Sequence, residues 1–93
     1  MRIIGEIQHP GLKITIFKMG DRTSVKLENE RYEQTYKLGT DERLSSAETI
    51  QQWADPAFVE QVQQIFQQMH RAQIGATSRL FPITSENRFE EII

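Results

Sequence analysis

The chain contains no cysteine, so disulfides, thiolate nucleophiles and cysteine-ligated zinc sites are excluded. It has no apolar run near the roughly 18 residues of a membrane-spanning helix, and we expect no membrane partner. It also has little net charge, −2 from 11 basic and 13 acidic residues. That balance removes the simplest electrostatic argument for binding nucleic acid. Because the acidic Glu6 comes too early for a signal peptide, we expect a cytoplasmic location.

The chain has enough apolar residues for one packed domain. Ile, Leu, Val and Phe account for 24 of its 93 residues, which is more than a disordered chain usually contains. We find no repeat and no low-complexity linker. We therefore predict a single α+β domain over residues 1–83, followed by a tail, 84–93, that either docks or frays.

Before residue 40, apolar and polar residues alternate, and this pattern predicts strands. Pro10-Gly11 favours a type II turn and Gly20-Asp21 a type II′ turn, and Asn29-Glu30 suggests a third. The three turns predict a four-stranded antiparallel β-meander with one apolar face. The predicted apolar face carries Ile3, Ile7, Ile14, Ile16, Val25, Leu27, Tyr32, Tyr36 and Leu38.

The turns also fix a register, because a pairing shift of one residue would exchange the two faces. Apolar residues then meet apolar residues, and opposite charges meet on the other face. The predicted pairs are Ile4–Phe17, Gly5–Ile16, Ile7–Ile14, Ile14–Leu27, Ile16–Val25, Thr15–Lys26, Lys26–Glu33 and Leu27–Tyr32.

After residue 40 the apolar period becomes helical. Ser45 and Glu48 have the spacing of a capping box, which predicts a short helix through Trp53. Asp55-Pro56 then begins a long helix, with Asp55 as N-cap. The helix could stop at Gly75 as a C-cap, but Ala76 and Leu80 stay in phase with its apolar stripe, so we favour continuation towards Leu80. The predicted fold is ββββαα, with both helices on one face of the meander, and the stripe consists of Phe58, Val62, Ile65, Phe66, Met69 and Ala76.

No motif in the sequence indicates catalysis. The five glycines are isolated, so no phosphate-binding loop is predicted. His9 and His70 lack partners at metal-ligand spacing, and no Ser or Thr has a base near it in sequence. We therefore predict a protein that is not an enzyme and has no cofactor and no metal site.

The functional hypothesis rests on apolar residues that lie outside the predicted core. Ile4, Phe17 and Met19 fall on the otherwise charged outer face of the sheet, and such a group exceeds the scattered single residues of an ordinary surface. The tail adds Phe89, Ile92 and Ile93. We therefore predict a protein–protein interaction or assembly module that binds a protein partner or itself, for example as a homodimer, through these residues.

Two other functions are weighed against this one. The first is a nucleic-acid-binding open sheet, since Lys13, Lys26 and Lys37 flank Phe17. Three glutamates share that face and neutralise the lysines, so we expect no nucleic-acid partner. The second is a small-ligand or enzyme site formed by polar residues that converge only in the folded chain, which we rank lowest. The three glutamates are Glu6, Glu28 and Glu33.

Overall fold

A computed structural model describes residues 1–82 of the chain. These residues form four antiparallel strands in one sheet, followed by a short helix and a long helix. The predicted α+β fold of the ββββαα type is therefore confirmed. The elements are β1 (Arg2–His9), β2 (Leu12–Met19), β3 (Arg22–Glu28), β4 (Glu33–Gly39), a 3₁₀ turn (Glu42–Leu44), α1 (Ala47–Trp53) and α2 (Pro56–Leu80).

The hairpin of β2 and β3 has the predicted register. Ile16 pairs with Val25 and Ile14 with Leu27, and both pairs lie on the buried face. The turn begins at Gly20, whose φ is +63°. A type II′ turn needs this left-handed conformation at its first central residue only, and glycine adopts it without steric cost. The turn chemistry therefore fixes the centre of the sheet.

The hairpin of β1 and β2 pairs as predicted near its turn, from His9–Leu12 to Gly5–Ile16. The predicted type II turn is wrong, because it needs a positive φ at Gly11, and Gly11 does not have one. Instead, the Gly11 amide donates a hydrogen bond to Nδ1 of His9 at 3.1 Å. A side chain therefore helps to close this turn.

Beyond Gly5, β1 contains a β-bulge that the alternation did not predict. Ile3 pairs with Phe17, and Ile4 is the extra residue. The bulge exchanges the faces of the two isoleucines. Ile4 is half-buried and packs against the core, whereas Ile3 is 58% exposed. The predicted Ile4–Phe17 pair and the core position of Ile3 are therefore wrong.

The hairpin of β3 and β4 is shifted by two residues from the predicted register. Lys26 pairs with Thr35 rather than Glu33, and its ammonium lies 3.7 Å from the carboxylate of Glu28. Because side chains alternate with a period of two, this even shift leaves Lys26 and Leu27 on their predicted faces, and a further irregularity follows between Ser24 and Thr23. In the same way, Leu27–Gln34 replaces the predicted pair Leu27–Tyr32.

The side chain of Asn29 explains the longer loop. Its Oδ1 accepts hydrogen bonds from the amides of Arg31 and Tyr32, both at 2.8 Å. Asparagine commonly closes turns in this way. A two-residue turn of type I′ would instead need a positive φ at Glu30. Within residues 1–82, only glycines have a positive φ. The loop therefore spans four residues, 29–32.

Side-chain caps begin both helices. Oγ of Ser46 accepts a hydrogen bond from the Thr49 amide at 3.2 Å, so the cap of α1 lies one residue after the predicted Ser45. Oδ1 of Asp55 accepts from the Phe58 amide at 2.9 Å, as predicted for α2. Each cap satisfies an amide that would otherwise lack a partner at a helix end.

Gly5 allows α1 to approach the sheet closely. A Cβ at this position would lie 3.1 Å from Cβ of Ala47. The side chain that approaches Gly5 is the small Ala47 and not the larger Trp53. Trp53 instead packs in an aromatic cluster, with ring centroids 6.2 Å from Tyr36 and 4.5 Å from Phe58.

The core lies between the sheet and the helices. From α2, Val62 and Phe66 are buried against the sheet, and from α1, Ile50 is fully buried. Burial of side chains of this size stabilises a fold by roughly 1.5–3 kcal/mol each. The buried core residues are Leu12, Ile14, Ile16, Val25, Leu27, Ile50, Val59, Val62 and Phe66.

We expect Phe66→Ala to lower the free energy of unfolding by about 3–5 kcal/mol, because the change leaves a cavity under α2. Gln64→Ala, at an exposed position of the same helix, is the matched control and is expected to change it by less than about 0.5 kcal/mol. Urea denaturation of both variants measures the difference. Equal midpoints would show that Phe66 does not lie in the core.

The bulge predicts opposite results for two neighbouring isoleucines. Ile4→Ser removes a side chain that packs on the core, so we expect a loss of more than about 1 kcal/mol. Ile3→Ser changes an exposed position and is expected to cost less than about 0.5 kcal/mol. Thermal melts compare the two variants. The reverse order would place Ile3 in the core and remove the bulge.

Candidate functional site

An open groove of about 770 Å³ lies at one end of the sheet, between α2 and the loops that join β1 to β2 and β3 to β4. Its apolar floor includes Leu12 and Phe66, which are buried, and the half-buried Tyr32. Ligand-binding sites are typically concave, with an apolar floor and a few polar groups. We call it the α2 groove, and its lining residues are Pro10, Gly11, Leu12, Asn29, Glu30, Arg31, Tyr32, Gln63, Phe66, Gln67, His70 and Arg71.

A chain of hydrogen bonds holds one wall of the α2 groove. The hydroxyl of Tyr32 donates to Oε1 of Gln73 and lies 2.9 Å from Nδ1 of His70. The hydroxyl has a single proton, and Gln73 receives it, so Nδ1 of His70 is the donor in the other bond. For a neutral ring, we therefore expect the proton to lie on Nδ1. The two rings also meet edge to face, with centroids 6.0 Å apart.

The lining of the α2 groove has a more positive net charge than the chain as a whole. Arg31 and Arg71 line it, with Glu30 as the acidic residue of the lining. The whole chain has a net charge of −2. All three side chains are exposed, so solvent and salt screen them. A ligand in the groove would therefore meet side-chain amides, two guanidinium groups and an apolar floor.

The second half of α2 extends beyond this groove. From residue 71 to residue 82, every residue except Gly75 is exposed. Three large apolar side chains lie in this segment: Ile74 is 52% exposed, Leu80 71% and Phe81 68%. The apolar stripe that predicted the core therefore continues past the part of α2 that is buried against the sheet. We call residues 71–81 the α2 end.

The predicted interaction residues are brought together only in part. Phe17 and Met19 lie on the outer face of the sheet, where Met19 is 60% exposed and Nζ of Lys26 lies 5.4 Å from the centroid of the Phe17 ring. The bulge moves Ile4 into contact with the core and puts Ile3 beside Phe17. The tail residues Phe89, Ile92 and Ile93 lie outside the described residues.

Sequence reasoning missed the α2 groove because its parts are far apart in the chain. Tyr32 and His70 are 38 residues apart, and neither belongs to a motif. The sequence did indicate one exposed apolar residue of the α2 end, because Leu80 continues the apolar stripe of the core. A helical period alone does not tell which part of a stripe lies over the sheet.

The pKa shifts lie outside the groove. Burial raises the pKa of the Tyr36 phenol, which packs in the aromatic cluster. Hydrogen bonds from the side chain and amide of Arg43 lower the pKa of Asp41 to about 2. Asp41 caps the 3₁₀ turn and lies two residues after the end of β4.

We expect Tyr32→Phe to release His70 from its fixed tautomer, because the variant removes the hydroxyl that accepts from Nδ1. The stability loss expected is about 0.5–1.5 kcal/mol, the usual value for one hydrogen bond. Imidazole ¹⁵N chemical shifts report the tautomer. Tyr36→Phe is the control, since that hydroxyl bonds Gln34 at 2.5 Å. Unchanged His70 shifts in Tyr32→Phe would contradict the assignment.

Residues 1–82 lack the side-chain clusters of a metal site and the helices of a membrane span. No group of three or more His, Cys, Asp or Glu side chains there could hold a metal ion. Neither α-helix of that part is long and apolar enough to cross a membrane. No protein-family model, curated protein or solved structure matches the chain, so the interpretation of the groove and of the α2 end rests on their own residues.

Proposed function

We propose that this chain is a small non-enzymatic protein–protein interaction module that self-associates through the second half of α2. The observation that carries the proposal is the exposure of Ile74 and Leu80, on a helical segment that extends past the groove, and of Phe81, the residue that caps it. A monomer leaves these side chains in water. Exposed apolar groups that lie together are more common at interaction sites than on the rest of a protein surface.

The stability of the helix itself supports a partner for this segment. In folded proteins most helical stability comes from the packing of an apolar face, and every residue of 71–80 except Gly75 is exposed. Residues 71–80 include Gly75, Thr77 and Ser78, all of which favour helix less than alanine does. A partner that packs on the segment would supply the apolar burial that the sheet supplies to the first half of α2.

The polar residues of α2 are compatible with a helical partner. Residues 61–82 contain no Asp or Glu and six glutamines. An uncharged amide costs less to remove from water than a charged group does. Charged residues are also depleted at the centres of protein interfaces. The glutamine-rich surface therefore allows close packing against another helix.

The nucleic-acid alternative has less support. On the outer face of the sheet, Lys26 is paired with Glu28 at 3.7 Å. Phe17 is the aromatic residue beside it, whereas sheets that bind RNA usually stack two or three bases on aromatic side chains. The cytoplasm remains the proposed location, on composition alone.

Light scattering coupled to size exclusion tests the proposal. Over roughly 10 µM to 1 mM, a range that covers weak association, we expect the mass to rise from 10.9 kDa towards twice that value. The double variant Ile74→Ser, Phe81→Ser is expected to stay monomeric, because it removes two of the three large exposed apolar groups. Gln64→Ser, Gln68→Ser changes exposed residues at neighbouring positions and is expected to associate like the wild type.

Two results would overturn the proposal. One is a monomeric mass for the wild type over the whole range. The other is a monomer that shifts single-stranded oligonucleotides in a salt-dependent manner, which would favour the nucleic-acid function.

A further inference from the structure

We infer that the tail of this chain, 84–93, occupies the α2 groove of the same molecule. The inference goes beyond the proposed function, because it concerns the groove and not the association of two α2 helices. Three observations carry it: the charges of the groove lining, the composition of the tail, and the distance from the end of α2 back to the groove.

The lining of the α2 groove suits a partner with apolar and acidic groups. Its floor contains Leu12 and Phe66, both of which are buried. Arg31 and Arg71 also line the groove, and Glu30 is the acidic residue among them. Within residues 1–82, neither of these two guanidinium groups is in an ion pair with a carboxylate. The groove therefore has an apolar surface and two cations to offer an occupant.

The tail has the complementary composition. Three of its ten residues are large and apolar and three are acidic, against one basic residue, so its net charge is −2. The adjoining segment 61–82 has two arginines and no acidic residue. Opposite charges on two neighbouring segments favour contact between them. The apolar residues of the tail are Phe89, Ile92 and Ile93, and the acidic ones are Glu86, Glu90 and Glu91.

The length of the chain permits this contact. The helix α2 ends at Leu80, and Phe81, with φ −122° and ψ 78°, has left the helical conformation. Along the helix, Phe81 lies about 21 Å from Gln67 of the groove, at 1.5 Å per residue. The chain from Phe81 to Phe89 spans at most about 26–29 Å. Phe89 can therefore reach the apolar floor, and the acidic residues that follow it can reach the two arginines.

A tail on the same chain has an advantage over a partner that must diffuse to the groove. A segment joined through a short linker has an effective concentration in the millimolar range, so weak contacts are sufficient to dock it. Exposed ion pairs contribute little each. We therefore expect Phe89, as a buried aromatic anchor, to provide most of the affinity. Glu90 and Glu91 then set the position of the tail beside the arginines.

The docked tail lies on one side of α2 only. At about 100° per residue, Ile74 falls within about 20° of Gln63, which lines the groove, whereas Leu80 falls about 100° away. The tail therefore covers Ile74 and leaves Leu80 accessible to a second copy. This consequence rests on the proposed function: docking of the tail limits self-association through the α2 end without preventing it.

A spin label on the tail of the full chain tests the inference, and the cysteine-free sequence allows a single attachment site. The label is attached at Asn87→Cys, at a concentration where light scattering gives a monomeric mass, and amide NMR signals report which residues it approaches. We expect the signals of residues 29–32 and 67–71 to lose most of their intensity. The Gly20 turn, at the opposite end of the sheet, is expected to keep its intensity.

The variant Phe89→Ser separates docking from the chance approach of a tethered label. In the labelled chain it is expected to restore the signals of residues 29–32, because it removes the apolar anchor. The β3–β4 loop gives the clearest reading, since it lies across the groove from α2.

A charge exchange tests the ion pairs. In the labelled chain, Arg31→Glu with Arg71→Glu is expected to restore the signals of the β3–β4 loop. Addition of Glu90→Arg and Glu91→Arg is expected to recover the broadening, because opposite charges then face each other again. Arg79→Glu is the matched control, since Arg79 is exposed and lies on the side of α2 away from the groove.

Three results would overturn the inference. The first is full intensity of residues 29–32 in the labelled wild-type background. The second is equal broadening in Phe89→Ser, which would show that the tether alone brings the label near. The third is equal broadening of a ¹⁵N chain without the label when it is mixed with spin-labelled chain, which would place the tail in the groove of a second copy. A chain that stays monomeric at every concentration, with a broadened groove, would overturn the proposed function and leave this inference intact.

Light scattering tests the competition at Ile74. We expect Phe89→Ser to lower the dissociation constant of self-association at least about twofold, as for a binding surface that the tail covers at least half of the time. An unchanged or higher constant would show that the tail does not cover Ile74.

Discussion

The packing of α2 on the apolar face of the sheet is the contact on which the rest of the structure depends. Val62 and Phe66 lie buried over the centre of the sheet, where Ile14 and Leu27 are fully buried. A chain of 93 residues has one small core, so a few such side chains provide a large part of its stability. Phe66 also forms part of the floor of the α2 groove. The same contact therefore stabilises the fold and shapes the candidate site.

Local chemistry decided which parts of the fold could be predicted from the sequence. The Gly20 turn and the Asp55 cap each have one strongly favoured conformation, so the central hairpin and the start of α2 were predicted correctly. The bulge at Ile4 could not be predicted, because Ile3 and Ile4 are both isoleucine and either could face the core. The register of β4 depended on two hydrogen bonds of the Asn29 side chain, which residue spacing does not reveal.

The candidate site was less predictable than the fold, for a physical reason. A stripe of apolar residues along a helix predicts burial, but the same stripe is expected whether the sheet or a partner covers it. Leu80 continues the pattern of Val62, yet Val62 is fully buried and Leu80 is mostly exposed. The difference comes from the length of α2 relative to the sheet. The groove depends likewise on the meeting of Tyr32 and His70, which tertiary structure alone brings about.

The bulge in β1 has a consequence for how copies of this chain can meet. β1 and β4 are the edge strands, and a regular edge strand presents backbone donors and acceptors on which another strand can pair. The extra residue at Ile4 interrupts that row near the start of β1 and increases the local twist. A long, uninterrupted intermolecular sheet along β1 is therefore disfavoured. Such protection reduces the risk of open-ended aggregation through strand pairing.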